Sequence, residues 1–415
     1  MSHRKKRNGK KGRGNSSRRN LTQQIIAAAK SVVRQNDSDD HNPIIRLVKL
    51  IEKSLELGTD AFLDHAMVDL SWHGFDDAAL LLMIIRKSLE SSTTYLLPTS
   101  QGTKEVQVHV FLIPVLIGVE DPDDPDPFPL QLSSDTVDHC GKSFRRHGLV
   151  NDSQSVLLLA DLFLEEELPQ ETHARRDLLR NAFMAMRSET VTLPSASNYP
   201  FFTNTAGDRS ISLHYLLMAT FSEGDEPYGP LFDDPETDET DEETDQFSNP
   251  IEAWRDDCEQ SLWNLFHHDV DFVQVGFPLP WEDAFDLGAR MQHAAELGDL
   301  LSYLEDEHES LLSLVISTFD TGEDTEVRIT IYAGELMVGG YIWSCYDEPE
   351  TEINGILSFL DDYGMQEQQI SVLDGIEHTA YCPNCRLPLF HSKTAELLHI
   401  PQEADDRPEP PVILH

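Results

Sequence analysis

Apolar residues recur at helical spacing from Leu21 to Leu89, and beyond Thr103 the spacing changes to alternation, which predicts a helical segment followed by a sheet-containing body. Leu21, Ile25, Ala28, Ala29 and Val32 place a short helix over 21–34. A second follows Asn42, a good N-cap, with Pro43 at the first helical position, an apolar face of Ile44, Val48, Ile51 and Leu55, and Gly58 past its end. Asp60 and Asp76 open helices over 61–72 and 77–89, separated by a turn at His73 and Gly74. Residues 21–92 are therefore expected to form a packing unit of three or four helices.

Val106, Val108 and Val110 alternate into the apolar run 110–119, too apolar for an exposed edge, which reads as a buried strand. The Asp-Pro repeat over 121–129 blocks regular structure and reads as a surface loop. Helix 134–147, strand 156–164, helix 170–187 and strand 210–221 follow. After 249 come helix 250–266, strand 272–277, helix 281–304, strands 312–319, 325–332 and 336–343, helix 349–363 and strand 369–373. Gly339-Gly340 reads as a tight turn or a bulge.

This alternation predicts an α+β or α/β fold: an N-terminal helical unit, two α/β lobes over 103–222 and 250–375, a small β appendage over 376–402, and a tail over 403–415. Asp138-His-Cys140-Gly-Lys-Ser143 matches Asp256-Asp-Cys258-Glu-Gln-Ser261. Each is followed by a strand, a helix and a strand closing in Thr-Phe, at Thr220-Phe221 and Thr318-Phe319. The match raises an internal duplication, with two related lobes facing each other; the competing reading is coincidence in a short motif.

Charge refines the picture at both ends. The chain of 415 residues carries 74 acidic and 31 basic groups, a net charge of −43, which excludes a body that grips nucleic-acid phosphate over a broad surface. Residues 1–20 nevertheless hold nine Lys/Arg and no acid, and are expected to be disordered when free. Any nucleic-acid binding is expected to reside in residues 1–20 only; the competing reading is that this tail lies on the chain's own acidic surface. Twelve of the 24 residues over 223–246 are Asp or Glu, so 223–249 reads as a disordered acidic linker. The acidic surface suits a basic protein partner.

Five cysteines cannot form a disulfide framework and fit a reducing compartment. The apolar stretch 25–33 is cut by Lys30, unlike a signal peptide, and 110–119 contains Pro114 and falls short of the ~20 residues that cross a bilayer. The expectation is a cytoplasmic protein without a membrane span.

No Gly-rich phosphate loop, Gly-x-Ser-x-Gly elbow or His-Glu-x-x-His motif occurs, which weighs against an enzyme. The most specific local signal is Tyr381-Cys382-Pro383-Asn384-Cys385-Arg386. It resembles the knuckle of zinc-ribbon and rubredoxin-like sites, in which a Cys-Pro-x-Cys turn aims two thiolates at one metal and backbone amides at the sulfurs. The resemblance covers 381–400 and lacks the ribbon's second Cys-x-x-Cys. It implies a structural zinc that would supply folding energy to an appendage with little core. His378, His391 and His399 are the candidates to complete the ligand set. With a hairpin turn at 392–395, His399 returns toward the knuckle and His391 lies near the far end, so the expected ligands are Cys382, Cys385, His399 and His378. The competing reading is a knuckle that kept its turn and lost its metal.

Weaker constellations are His65, Asp69 and His73 on one helix face, Asp161 with Glu165, Glu166 and Glu167 after a strand, and His267-His268-Asp269 before one. Each also describes an ordinary solvated surface. The leading functional expectation is a non-catalytic binding or regulatory protein with an acidic surface and a structural zinc. The alternatives are a hydrolase or transferase acting in a cleft between the lobes, and an acidic nucleic-acid mimic.

Overall fold

The computed structural model describes residues 14–34, 42–99, 102–119, 132–150, 154–187, 193–196, 203–204, 209–223, 250–266, 270–322, 324–398 and 412–414. Among them, nine α-helices and two larger sheets make an α+β fold. None of the described helices is long and apolar enough to cross a membrane.

Helices α1 (Gly14–Arg34), α2 (Asn42–Leu55), α3 (Ala61–Trp72) and α4 (Asp76–Ser91) enclose a core of their own around Ile25, Leu47, Ile51, Leu63, Leu70 and Leu82. Their ends follow local chemistry: Gly58 and Gly74 both take the left-handed conformation that stops α2 and turns α3 into α4. The basic tail is shorter than expected, because α1 already begins at Gly14; residues 1–13 lie outside the described residues.

The first sheet is built on β2 (Gly102–Val119) and β5 (Ser210–Glu223), antiparallel from Val106 opposite Glu223 to Val119 opposite Ser210. β1 (Ser92–Thr99) and β6 (Phe272–Val275) share the other edge of β2, while β3 (Ser155–Phe163) and β4 (Thr203–Asn204) share the other edge of β5. Alternation divides β2 between two cores. Phe111, Ile113, Val115 and Ile117 face α5 (Ser134–Arg146) and α7 (Pro250–Phe266). Val106, Val108, Val110 and Leu112 face α6 (Thr172–Met186) and the first turns of α8 (Trp281–Glu307).

The expected boundary at 250 is therefore corrected. α7 and β6 belong to the first sheet, because Trp254, Cys258, Leu262 and Phe266 are buried against it and Phe272–Val275 pairs with β2. The order β1–β2–α5–β3–α6 recurs as β4–β5–α7–β6–α8, but within one sheet and with the third strands exchanged: β3 pairs with β5, and β6 with β2. The matched motifs consequently meet instead of occupying separate lobes. Ser143 of the first motif meets Cys258 of the second, Oγ to Sγ at 4.0 Å, and Phe144 stacks on Trp254 with ring centroids 4.5 Å apart.

α8 runs 27 residues, about 40 Å, from Trp281 in the first sheet's core to Leu297, Leu300, Leu301 and Leu304 in the second's. The second sheet has the order β10 (Ile370–Glu377), β7 (Leu312–Asp320), β8 (Thr325–Ala333), β9 (Leu336–Ser344), β13 (Val412–Leu414). α8 and α9 (Pro349–Tyr363) cover one face. The register slips between Ile331 and Tyr332, which places a bulge in β9 just before Gly339.

The other face is covered by residues 378–398, with β11 (Phe390–His391) and β12 (Leu397–Leu398) as a two-stranded hairpin. The expected appendage is thus not autonomous. Phe390 is fully buried against the sheet, so close that a side-chain carbon at Gly340 would lie 2.9 Å from its ring. The expected C-terminal tail also contributes a strand, since 412–414 lies in the sheet. Of the expected linker, 224–249 lies outside the described residues and Glu223 ends β5.

Candidate functional site

The Cys-Pro-x-Cys turn has the geometry its sequence implies. Arg386 N donates to Cys382 O at 2.8 Å and Cys382 N to Leu387 O at 2.9 Å, with Arg386 itself left-handed at φ 60°. The backbone amides of Cys385 and Asn384 donate to the Cys382 sulfur, and the Cys385 side chain contacts it; together these hold the Cys382 thiol below its ordinary pKa. Cys382 is buried and Cys385 exposed.

The two remaining imidazoles that can be placed do not join the sulfurs. His378 is exposed and bonded through Nδ1 to Asp320 at 3.1 Å. His391 is buried with Nε2 4.0 Å from Glu377 and no partner on Nδ1. His399 lies outside the described residues. Among the described residues, then, two thiols are present and no third Cys, His, Asp or Glu closes a cluster with them. These residues supply half of a tetrahedral set, which does not by itself fit a closed structural zinc centre.

Arg328 also holds this segment. It is fully buried on β8, donates through Nη1 to the carbonyls of Ala380 and Leu389, and is paired with Glu326 Oε2 through Nε at 2.9 Å and Nη2 at 2.7 Å. Its guanidinium lies 4.4 Å from the Phe319 ring centroid and 5.2 Å from that of Tyr381. Thr330 adds a bond to His391 O at 2.9 Å.

A second polar cluster joins the helical unit to the first sheet. Asp60 makes no side-chain cap on α3, although it precedes that helix; it caps α6 instead, accepting from Thr172 N at 2.6 Å and His173 N at 3.1 Å. His173 Nδ1 and Arg86 Nη2 also donate to it, each at 3.1 Å. Burial pushes the Asp60 pKa upward, but these hydrogen bonds outweigh it and hold the carboxyl below its ordinary value. Glu90 accepts from Thr172 Oγ1 and from Arg175 Nη1, and Arg175 reaches Glu282 on α8.

Asp60, Glu171 and His173 offer ligand atoms close enough together for one cation. Asp60, however, already accepts four hydrogen bonds, one from a guanidinium that neutralises it. The cluster therefore acts as a clamp between units. Sequence spacing carries no signal for it, because Asp60 and its α6 partners lie more than a hundred residues apart.

Some members of the weaker constellations have partners within the fold. His65 and His73 bond to carbonyls of their own helix, those of Ala61 and Asp69. Asp161 accepts from Ala196 N at 3.2 Å and Glu167 from Leu164 N at 2.8 Å. The segment 267–269 lies outside the described residues. His293 on α8 lies 2.7 Å from the OH of Tyr341 on the second sheet, which donates to Glu296 at 2.8 Å; burial lowers the His293 pKa to about 4 and keeps the ring neutral at pH 7.

No protein-family model, characterised protein or solved structure matches the chain. Several large apolar side chains are exposed on the described surface, and the most exposed of them stands on the helical unit. Trp72 is 85 % exposed, and Val68, Leu80, Met83 and Ile84 are exposed on the same α3–α4 hairpin. Asp64, Asp76 and Asp77 are exposed on the same two helices. Core formation explains α3 through Phe62, Leu63, Ala66 and Leu70, and leaves Val68 and Trp72 without a function in folding.

Proposed function

We propose that the protein is a non-catalytic binding protein and that its α3–α4 hairpin docks an apolar, basic-flanked segment of a partner protein. The observation that carries this is Trp72, a large aromatic side chain 85 % exposed one helical turn after exposed Val68, on a hairpin whose second helix also exposes Leu80, Met83 and Ile84. Exposing such a group forgoes its burial, whereas at an interface Trp is among the side chains that contribute most to affinity. The acids on the same helices favour a partner with basic residues around its apolar anchor. A non-catalytic role is supported further by the cluster of Asp60, Arg86, Glu90, Thr172 and Arg175, whose polar atoms are engaged in joining elements. The expected inter-lobe cleft loses its basis, since α7 and β6 pack into the first sheet.

The test is a photo-crosslinking residue at position 72, with the same residue at exposed Glu335 on the second sheet as control. A discrete partner captured at 72 and absent at 335 is expected. Trp72→Ala should weaken that partner's binding by ~2 kcal/mol, about thirtyfold, and change folding stability by less than ~0.5 kcal/mol. Equal labelling at both positions, or unchanged affinity in Trp72→Ala, removes the hairpin as the docking surface.

A further inference from the structure

The last strand of the second sheet comes from residues 412–414. Val412, Ile413 and Leu414 pair in parallel with Gly339, Gly340 and Tyr341 of β9, whose opposite edge is fully engaged with β8. The nine-residue β9 would otherwise present an unpaired row of backbone donors and acceptors, which other extended chains pair with readily. At the pairing point β9 carries two glycines, which lack the side chains that would crowd an approaching backbone, followed by Tyr341.

The tail has matching chemistry. Pro408, Pro410 and Pro411 exclude helix and preset extended backbone, and Val412-Ile413-Leu414 is the aliphatic triplet that follows. Thirteen residues, 399–411, separate it from the end of β12. Three paired residues make a short ladder, so the tail's hold depends on its tether, which supplies an effective concentration on the order of 1 mM.

We infer that the outer edge of β9 is a strand-binding site for an extended aliphatic segment of another protein, and that the chain's own C-terminus occupies it in cis as a replaceable stand-in. This site is separate from the α3–α4 hairpin and stands whether or not that surface docks a partner. Recognition is by main-chain pairing in the parallel sense, so the ligand class is a proline-preceded, β-branched or leucine-rich peptide.

The probe is a fluorescent peptide with the sequence of residues 407–415, titrated by anisotropy into the intact chain, a chain ending at Pro411, and the full-length Ile413→Pro variant. The shortened chain and Ile413→Pro should bind one peptide each. The intact chain should bind it roughly tenfold more weakly, from a tether near 1 mM competing with a peptide Kd near ~100 µM. A peptide carrying the same proline should not bind. Ile413→Pro keeps every residue of the fold and covers the case in which the shortened chain unfolds. Equal binding by all three proteins, or binding by none, overturns the inference. So does a dimer of the intact chain at tens of micromolar that becomes a monomer in Ile413→Pro, because the tail would then be exchanged between copies.

Discussion

Arg328→Met is the sharpest test of how the C-terminal segment is held. Methionine keeps much of the apolar stem and removes the guanidinium, which donates to two buried carbonyls and contacts the Phe319 ring. Bonds from a charged donor contribute ~1.5–3 kcal/mol each, and a desolvated cation–aromatic contact adds ~2 kcal/mol. Losses are partly offset because a buried cation no longer needs desolvating. Ala380 O also keeps its bond from Leu389 N, and the Glu326 side chain, 18 % exposed, retains some access to water. The net cost is ~3 kcal/mol, a change of about 150-fold in the unfolding equilibrium.

Hydrogen exchange over 378–398 should rise by that factor, and urea melts should shift to match if the segment unfolds with the second sheet. The paired substitution Cys382→Ser with Cys385→Ser, or a chelator, should leave the segment protected, because its burial rests on Arg328 and Phe390. A cost below ~1 kcal/mol for Arg328→Met, or loss of protection on chelation, would refute the reasoning and return the role to a metal.

Two further outcomes follow from the clamp and the first sheet. Asp60→Ala should destabilise the protein by ~2–3 kcal/mol through lost capping and ion pairing; since the folded pKa of Asp60 is depressed, its contribution is full above the unfolded value near ~4 and is lost as pH falls through the lower folded one. Urea melts of both proteins should therefore differ at pH 7 and converge in acid, and a pH-independent gap would remove the carboxylate from the account. Gly118→Ala should cost ~1–3 kcal/mol by overpacking, because the added carbon would meet the Phe272 ring at 2.1 Å; adding Phe272→Ala should recover part of it, and strict additivity in thermal melts would mean β6 does not lie on β2.

Local elements were legible where one segment's own chemistry decides them. Asn42, Pro43 and Gly58 bracket α2, and the Asn249-Pro250 start yields α7 from Pro250 to Phe266. Their destinations were not. The spacing of Trp254, Cys258 and Leu262 says that one face is buried without saying against which sheet, and β6 pairs with a strand more than 150 residues earlier. β1 escaped because it leaves α4 without a break and carries Pro98 near its end.

At the candidate sites the same limit applies. The knuckle turn is a six-residue pattern and was readable. Arg328, set in the alternation Thr325-Glu-Val-Arg-Ile-Thr330, looks like a solvent-facing residue until a segment more than fifty positions later covers it. Trp72 gave no warning either, since an aromatic residue at helical spacing is ordinarily assigned to the core.

The exchanged strands of the first sheet bear on how the chain is made. β2 has emerged from the ribosome long before Phe272–Val275, its partner on one edge, has been synthesised. At ~5–20 residues per second the interval from Ile117 to its partner Val273 lasts roughly 8–30 s. During that time the face bearing Phe111, Ile113, Val115 and Ile117 lacks α7, so the nascent protein carries an incomplete apolar surface for tens of seconds before the sheet can close. A ribosome-associated chaperone would find its natural client stage in that interval.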